Sequence, residues 1–270
     1  MRYISLRLLA IVVIASFFAG CSSINHVTAP SSAPPDLTGD WAFGITALSG
    51  PGPLAITELN GALSGGGQNI TGVFQAIEGT GCVSPTFDIA FTGSQDAAGD
   101  LTLTSTNLPG NVATITIKGT EFLDGNTFGL GDLIITGSGP CAETSSALLG
   151  GEVLNITGTY AGSLTAGLGG AATPFNVSLA EVGANSDGQF PVTGTVTVTG
   201  PGCTNVFSLS GLVSGLSLNA SLTSTSGPSA TGNLFIEAID SAQPGSQDFG
   251  ALITGSGCNN NGYSGSLTKQ

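Results

Sequence analysis

Along most of the chain, apolar residues alternate with Thr, Ser and Asn at a period of two. The stretch "ATITIKG", beginning at Ala113, puts Ile115 and Ile117 on one face and Thr114, Thr116 and Lys118 on the other. "VTGTVTVTG" from Val192 alternates Val with Thr, and "LSLNASLT" from Leu216 alternates Leu with Ser and Asn. This pattern predicts antiparallel strands buried on one face. Between the strands lie turn clusters, "LSGPGP", "SQDAAGD", "LDGN", "ANSDGQ" and "SGPSATG", spaced roughly 10 to 15 residues apart. Good helix formers are scarce, and beyond the N-terminus the one stretch that reads as a helical turn is Ser145 to Leu149.

The pattern occurs twice. "LTGDWAFGITA" from Leu37 matches "ITGTYAGSLTA" from Ile156, an offset of 156 − 37 = 119 residues. "EGTGC" ending at Cys82 matches "TGPGC" ending at Cys203, and "ITGSGPC" ending at Cys141 matches "ITGSGC" ending at Cys258, with offsets of 203 − 82 = 121 and 258 − 141 = 117. Offsets this close identify a duplicated unit. We assign 36–150 to the first unit and 151–270 to the second, each with seven or eight strand candidates. The expected fold class is all-β, with two tandem antiparallel meander units, each an up-and-down barrel or a sandwich. The last strand, "NGYSGSLTKQ", echoes the "GTYAGSLTA" opening, so each unit is expected to close by pairing its last strand with its first.

The N-terminus sets the address. Residues 1–20 carry Arg2 and Arg7, an apolar run from Leu8 to Phe18, and small residues directly before Cys21, the arrangement of a secretory signal. The "FAGC" sequence resembles a bacterial lipobox, which implies that Cys21 becomes the lipidated first residue. Residues 21–35, rich in Ser, Pro and Ala, read as a flexible tether. Ser22 and Ser23 after the cysteine point to the outer membrane, so the expected partner at this end is a membrane, reached through the lipid.

Removing the signal leaves seventeen acids, two lysines (Lys118 and Lys269) and no arginine, a net charge of 2 − 17 = −15. Nucleic acid is thereby excluded as a partner, because phosphate contacts need clustered Lys and Arg. The acids are spread thinly and read as a solubilising surface.

Four cysteines remain, Cys82, Cys141, Cys203 and Cys258, two to a unit at equivalent positions. In an exported chain this predicts the disulfides Cys82–Cys141 and Cys203–Cys258. A zinc site would want C-x2-C spacing or nearby His, and a redox pair C-x-x-C; neither is present.

Little else suggests chemistry. The single histidine, His26, lies in the tether, so Ser-His or Cys-His activation has no base. Asp88, Glu121, Asp124, Asp132 and Glu237 lie in or beside strands, but their spacing singles out no pair for carboxylate-based hydrolysis. "LDGNTFGLGD", Leu123 to Asp132, offers oxygen ligands around glycines without the series of a calcium loop, and reads as a hairpin turn. No enzyme, metal or cofactor is expected. One Trp and two Tyr in the mature chain cannot build the aromatic girdles of a membrane barrel.

The "TGDW" and "TGTY" openings, each starting a series of short strands, resemble the Gly-x-Trp first strand of calycin-type barrels, the lipocalins and avidins. The resemblance implies closed barrels with an interior for a small or apolar ligand, and no binding residue carries over from it. Trp41 itself is expected to plug the bottom of a β core. The favoured function is a non-enzymatic envelope lipoprotein with a structural or interaction role toward envelope protein or glycan. The alternative is a module binding an apolar or small molecule. Exposed strand edges would also permit self-association.

Overall fold

The computed structural model describes residues 36–45, 56–77, 87–106, 108, 112–121, 127–137, 141–167, 170–200, 203–241, 243–255 and 258–270. The signal peptide, the tether, Cys21 and His26 lie outside them, as do Cys82, Asp124 and the "LSGPGP" and "LDGN" turns.

The chain forms two closed eight-stranded barrels, so the choice between barrel and sandwich resolves to the barrel. The first comprises β1 (Gly39–Ile45), β2 (Glu58–Gly66), β3 (Asn69–Ile77), β4 (Asp88–Gln95), β5 (Asp100–Ser105), β6 (Val112–Glu121), β7 (Thr127–Gly137) and β8 (Glu143–Glu152). The second comprises β9 (Gly158–Ala166), β10 (Ala172–Glu181), β11 (Phe190–Gly200), β12 (Cys203–Ser214), β13 (Ser217–Ser226), β14 (Ala230–Ile236), β15 (Ser246–Gly255) and β16 (Cys258–Lys269). Every sequential pair is antiparallel, and each barrel closes by pairing its last strand with its first: Phe43 lies opposite Gly150, and Thr165 opposite Ser264. Closure removes the free edges that an open meander would expose. The first barrel runs to Glu152, two residues past the expected boundary at 150, and residues 153–157 lead into the second.

One expectation fails. Ser145 to Leu149 lies inside β8, where Leu149 faces Gly44 of β1 and Ser145 faces Leu133 of β7. A single turn of helix is marginal alone, whereas this segment completes two ladders at once, and tertiary pairing overrides weak propensity.

The inward faces follow the alternation. Ile115, Ile117, Val192, Val196, Val198, Leu218 and Leu222 are all buried. The first interior holds a continuous aromatic column, in which Phe128, Trp41, Phe43, Phe74 and Phe91 follow one another at centroid distances of 5.4, 6.0, 5.6 and 5.6 Å. In the second, Tyr160 meets Phe249 and Phe175 meets Tyr263, each pair at 5.3 Å.

The duplication persists at atomic detail. Trp41 Nε1 donates to the Leu37 carbonyl at 2.8 Å, and the Tyr160 hydroxyl donates to the Ile156 carbonyl at 3.0 Å. Just upstream, the Thr38 amide donates to Asp36 Oδ1 at 3.1 Å, as the Thr157 amide does to Asn155 Oδ1 at 2.9 Å. In each unit a local side-chain turn sets the angle at which the chain enters the first strand. The buried aromatic then anchors its polar end on the same carbonyl.

Candidate functional site

The sequence-derived carboxylates do not converge. Asp88, at the start of β4, accepts from Gln75 Nε2 at 2.8 Å. Asp132 faces Lys118 across β6 and β7, and Glu237 is exposed beyond the end of β14. Glu121 ends β6. Among the described residues no group of three or more His, Cys, Asp or Glu is placed to hold a metal ion, and no helix is long and apolar enough to cross a membrane.

A different acidic pair, Asp40 and Glu181, does form where the barrels meet. The outward residues of β1 and β2 include Asp40, Ala42, Glu58, Asn60 and Ala62, with Asp40 opposite Ala62, Ala42 opposite Asn60 and Gly44 opposite Glu58. Ala42 and Ala62 pack against the second barrel's core cluster, together with Leu154 and Leu216. The turn between β12 and β13 presses on this face. Gly215 has a φ of +52°, and a Cβ there would lie 2.1 Å from Asn60 Oδ1. Gly188, with a φ of +74°, comes as close to the Val73 carbonyl, and Gln189 Nε2 donates to Gln75 Oε1 at 3.4 Å. Only glycine combines the left-handed conformation with so close an approach.

Asp40 is sealed in this junction at 4% exposure, and neither carboxyl oxygen has a hydrogen-bond partner. Burial, then the charge of Glu181, push its pKa up to about 8. The amides of Trp41 and Gly215 pull it down, yet neither reaches hydrogen-bonding geometry. Glu58 is raised by burial and lowered by its hydrogen bond with Asn60, whose Oδ1 is itself unpartnered. Burial also raises Glu152, beside Gly39, and Glu181. Glu181 accepts the Ile156 amide at 3.0 Å, and the Val153 amide donates to the Asp40 carbonyl at 2.8 Å. Both linker bonds therefore end on residues of the junction. With no solvent path to Asp40, the arrangement cannot present a carboxylate to a substrate; it can hold a proton.

Sequence reasoning missed this pair because Asp40 occupies an ordinary outward position. The available signal was the small residues beside it, Ala42 and Ala62, where most other strands carry Thr or Ser.

The outer faces elsewhere are lined by hydroxyls in register. In the second barrel Thr159, Ser178, Thr195, Ser208, Thr223, Thr231 and Thr254 lie directly opposite one another from β9 to β15, all exposed. Ser64, Thr71, Thr92, Thr104 and Thr116 form the shorter counterpart from β2 to β6. Two shallow surface depressions lie outside the barrels, one lined by Thr223, Thr231 and Thr254, the other by Ile134, Thr136 and Thr144.

Cys141 and Cys203 are buried. Cys203 begins β12 and Cys258 begins β16, four strands apart at one end of the barrel, and those two strands approach across it. The Cys258 side chain, like all of Cys82, lies outside the described residues. Lys269 Nζ, at the end of the closing strand, sits 5.8 Å over the Tyr160 ring.

Comparison of the chain with protein families, with curated proteins and with solved structures finds no match.

Proposed function

We propose that this is a non-enzymatic lipoprotein of the cell envelope, held at the membrane through a lipid on Cys21, whose two barrels act as rigid interaction modules. The observation that carries this reading is the filled interior. Trp41, Phe43, Phe74 and Phe91 in the first barrel, and Tyr160, Phe175, Phe207 and Phe249 in the second, are all at most 2% exposed and occupy the space that a ligand-carrying barrel keeps empty. Recognition then falls to the outside, where the hydroxyl rows offer donors and acceptors at the regular spacing of neighbouring strands. Envelope glycan and envelope protein are the partner chemistries that such a surface suits. The outer membrane is the proposed location.

The disulfides Cys82–Cys141 and Cys203–Cys258 belong to the same proposal. Supporting them are the burial of Cys141 and Cys203 and the placement of Cys203 and Cys258 at one rim. A bond from β12 to β16 would strap the mouth of the second barrel across its diameter. The calycin likeness stays at the level of architecture, the closed eight-stranded barrel.

Native mass spectrometry of the protein extracted from its own envelope tests the reading. The expected result is a lipidated chain with no small molecule, lighter than its reduced form by two hydrogens for each of two disulfides. A bound mass released on denaturation would make the protein a carrier and overturn the proposal.

A further inference from the structure

We infer that the junction between the barrels is a proton-operated latch, closed while the Asp40 carboxyl carries a proton and loosened when that proton is lost. The inference is independent of the proposed function. It rests first on geometry, since unpartnered buried polar atoms gather at this contact: both Asp40 oxygens and Asn60 Oδ1. A buried carboxylate with neither a hydrogen bond nor a cation is costly, and it escapes that cost by staying protonated or by regaining water. Here water returns only if the turn at Gly215 lifts from the face of β1 and β2.

The groups around Asp40 act in one direction. On its own barrel Asp40 lies opposite Ala62, while Glu58 lies opposite Gly44 farther along β1 and β2 and Glu152 lies opposite Trp41, beside Gly39. From the second barrel Asp40 meets Glu181, whereas the Gly215–Leu216 turn brings no titratable group. Asp187, in the adjoining loop between β10 and β11, is tied to Ser186 and Asn185, and Lys269 is occupied over Tyr160. No positive charge figures among the influences on Asp40. Because Asp40 is sealed by this contact and burial raises both Asp40 and Glu181, the closed junction binds more protons than the open one. Closure is therefore strongest at acid pH and weakens as pH rises from the ordinary carboxylate range toward about 8. The barrel interiors, packed with apolar and aromatic side chains among the described residues, are expected to stay folded across this range.

The test uses the mature chain with Cys21→Ser, so that no micelle contributes to scattering. Small-angle X-ray scattering at pH 5 and pH 9 is expected to show a compact pair of barrels at the first and a larger radius of gyration at the second. Asp40→Asn, which cannot ionise, is expected to stay compact at both. Gly215→Ala, whose methyl overlaps Asn60, is expected to be expanded at both and gives the dimension of the open form. Should Asp40→Asn fail to fold, Glu181→Gln retains an acceptor for Ile156 and is expected to expand less than the parent at pH 9. A parent chain of unchanged radius, or an Asp40→Asn chain that expands as the parent does, overturns the latch.

Discussion

Asp40 and Trp41 are neighbours whose side chains leave β1 on opposite faces, and the two faces have opposite energetics. Trp41 enters an apolar column with its single polar atom satisfied, so its contribution is large and independent of pH. Trp41→Ala should cost about 3–5 kcal/mol through the cavity it leaves. Tyr160→Phe removes only the bond to the Ile156 carbonyl and should cost about 1 kcal/mol; denaturant midpoints measure both. Asp40 faces the second barrel with its charge unsupported. Its pKa is raised from 3.8 to about 8, so the folded state gains protons relative to the unfolded one, and stability falls with rising pH between those values. At pH 7 that difference amounts to about 4 kcal/mol, at 1.36 kcal/mol per unit. Asp40→Asn should therefore raise stability by about 4–5 kcal/mol at pH 8 and leave it within about 1 kcal/mol at pH 4. Thermal unfolding at the two pH values checks the sign.

At the scale of the strand, one step along the sequence exchanges core for solvent. Val196 is fully buried in the second barrel, and its neighbour Thr195 is exposed in the hydroxyl row. Val196→Thr should cost about 1–3 kcal/mol by burying a hydroxyl, whereas Thr195→Val should stay within about 0.5 kcal/mol; urea midpoints distinguish them. This periodicity made most strands legible, because Val and Thr in alternation fit little else. β8 was not legible in the same way. Its Ala147-Leu148-Leu149 run has no alternation, and its extended form comes from its two ladder partners, the preceding strand β7 and β1 at the far end of the unit. The acidic junction was illegible for a related reason: nothing local separates an outward Asp on an exposed face from an outward Asp that another barrel will cover.

For the whole molecule the duplication is the organising fact, and it was readable because three motifs recur at nearly constant offset. The barrel closures, the paired opening turns and the matching aromatic bonds all repeat with it. The proposed disulfides would close loops of 141 − 82 = 59 and 258 − 203 = 55 residues, so reduction should lower the stability of each barrel by about 4 kcal/mol in the chain-entropy account. Calorimetry with and without reductant measures this. What sequence could not decide was whether the barrels enclose space. Alternation assigns residues to the inside without stating how fully they fill it, and the aromatic column settles that point only once the strands are assembled. Diffraction from crystals pressurised with xenon, which enters dry apolar cavities, tests the filled interior most directly. Filled barrels admit no xenon among Trp41, Phe43, Phe74 and Phe91 or around Tyr160, Phe175 and Phe249. An ordered xenon atom inside either barrel would contradict it and return the molecule to the class of ligand carriers.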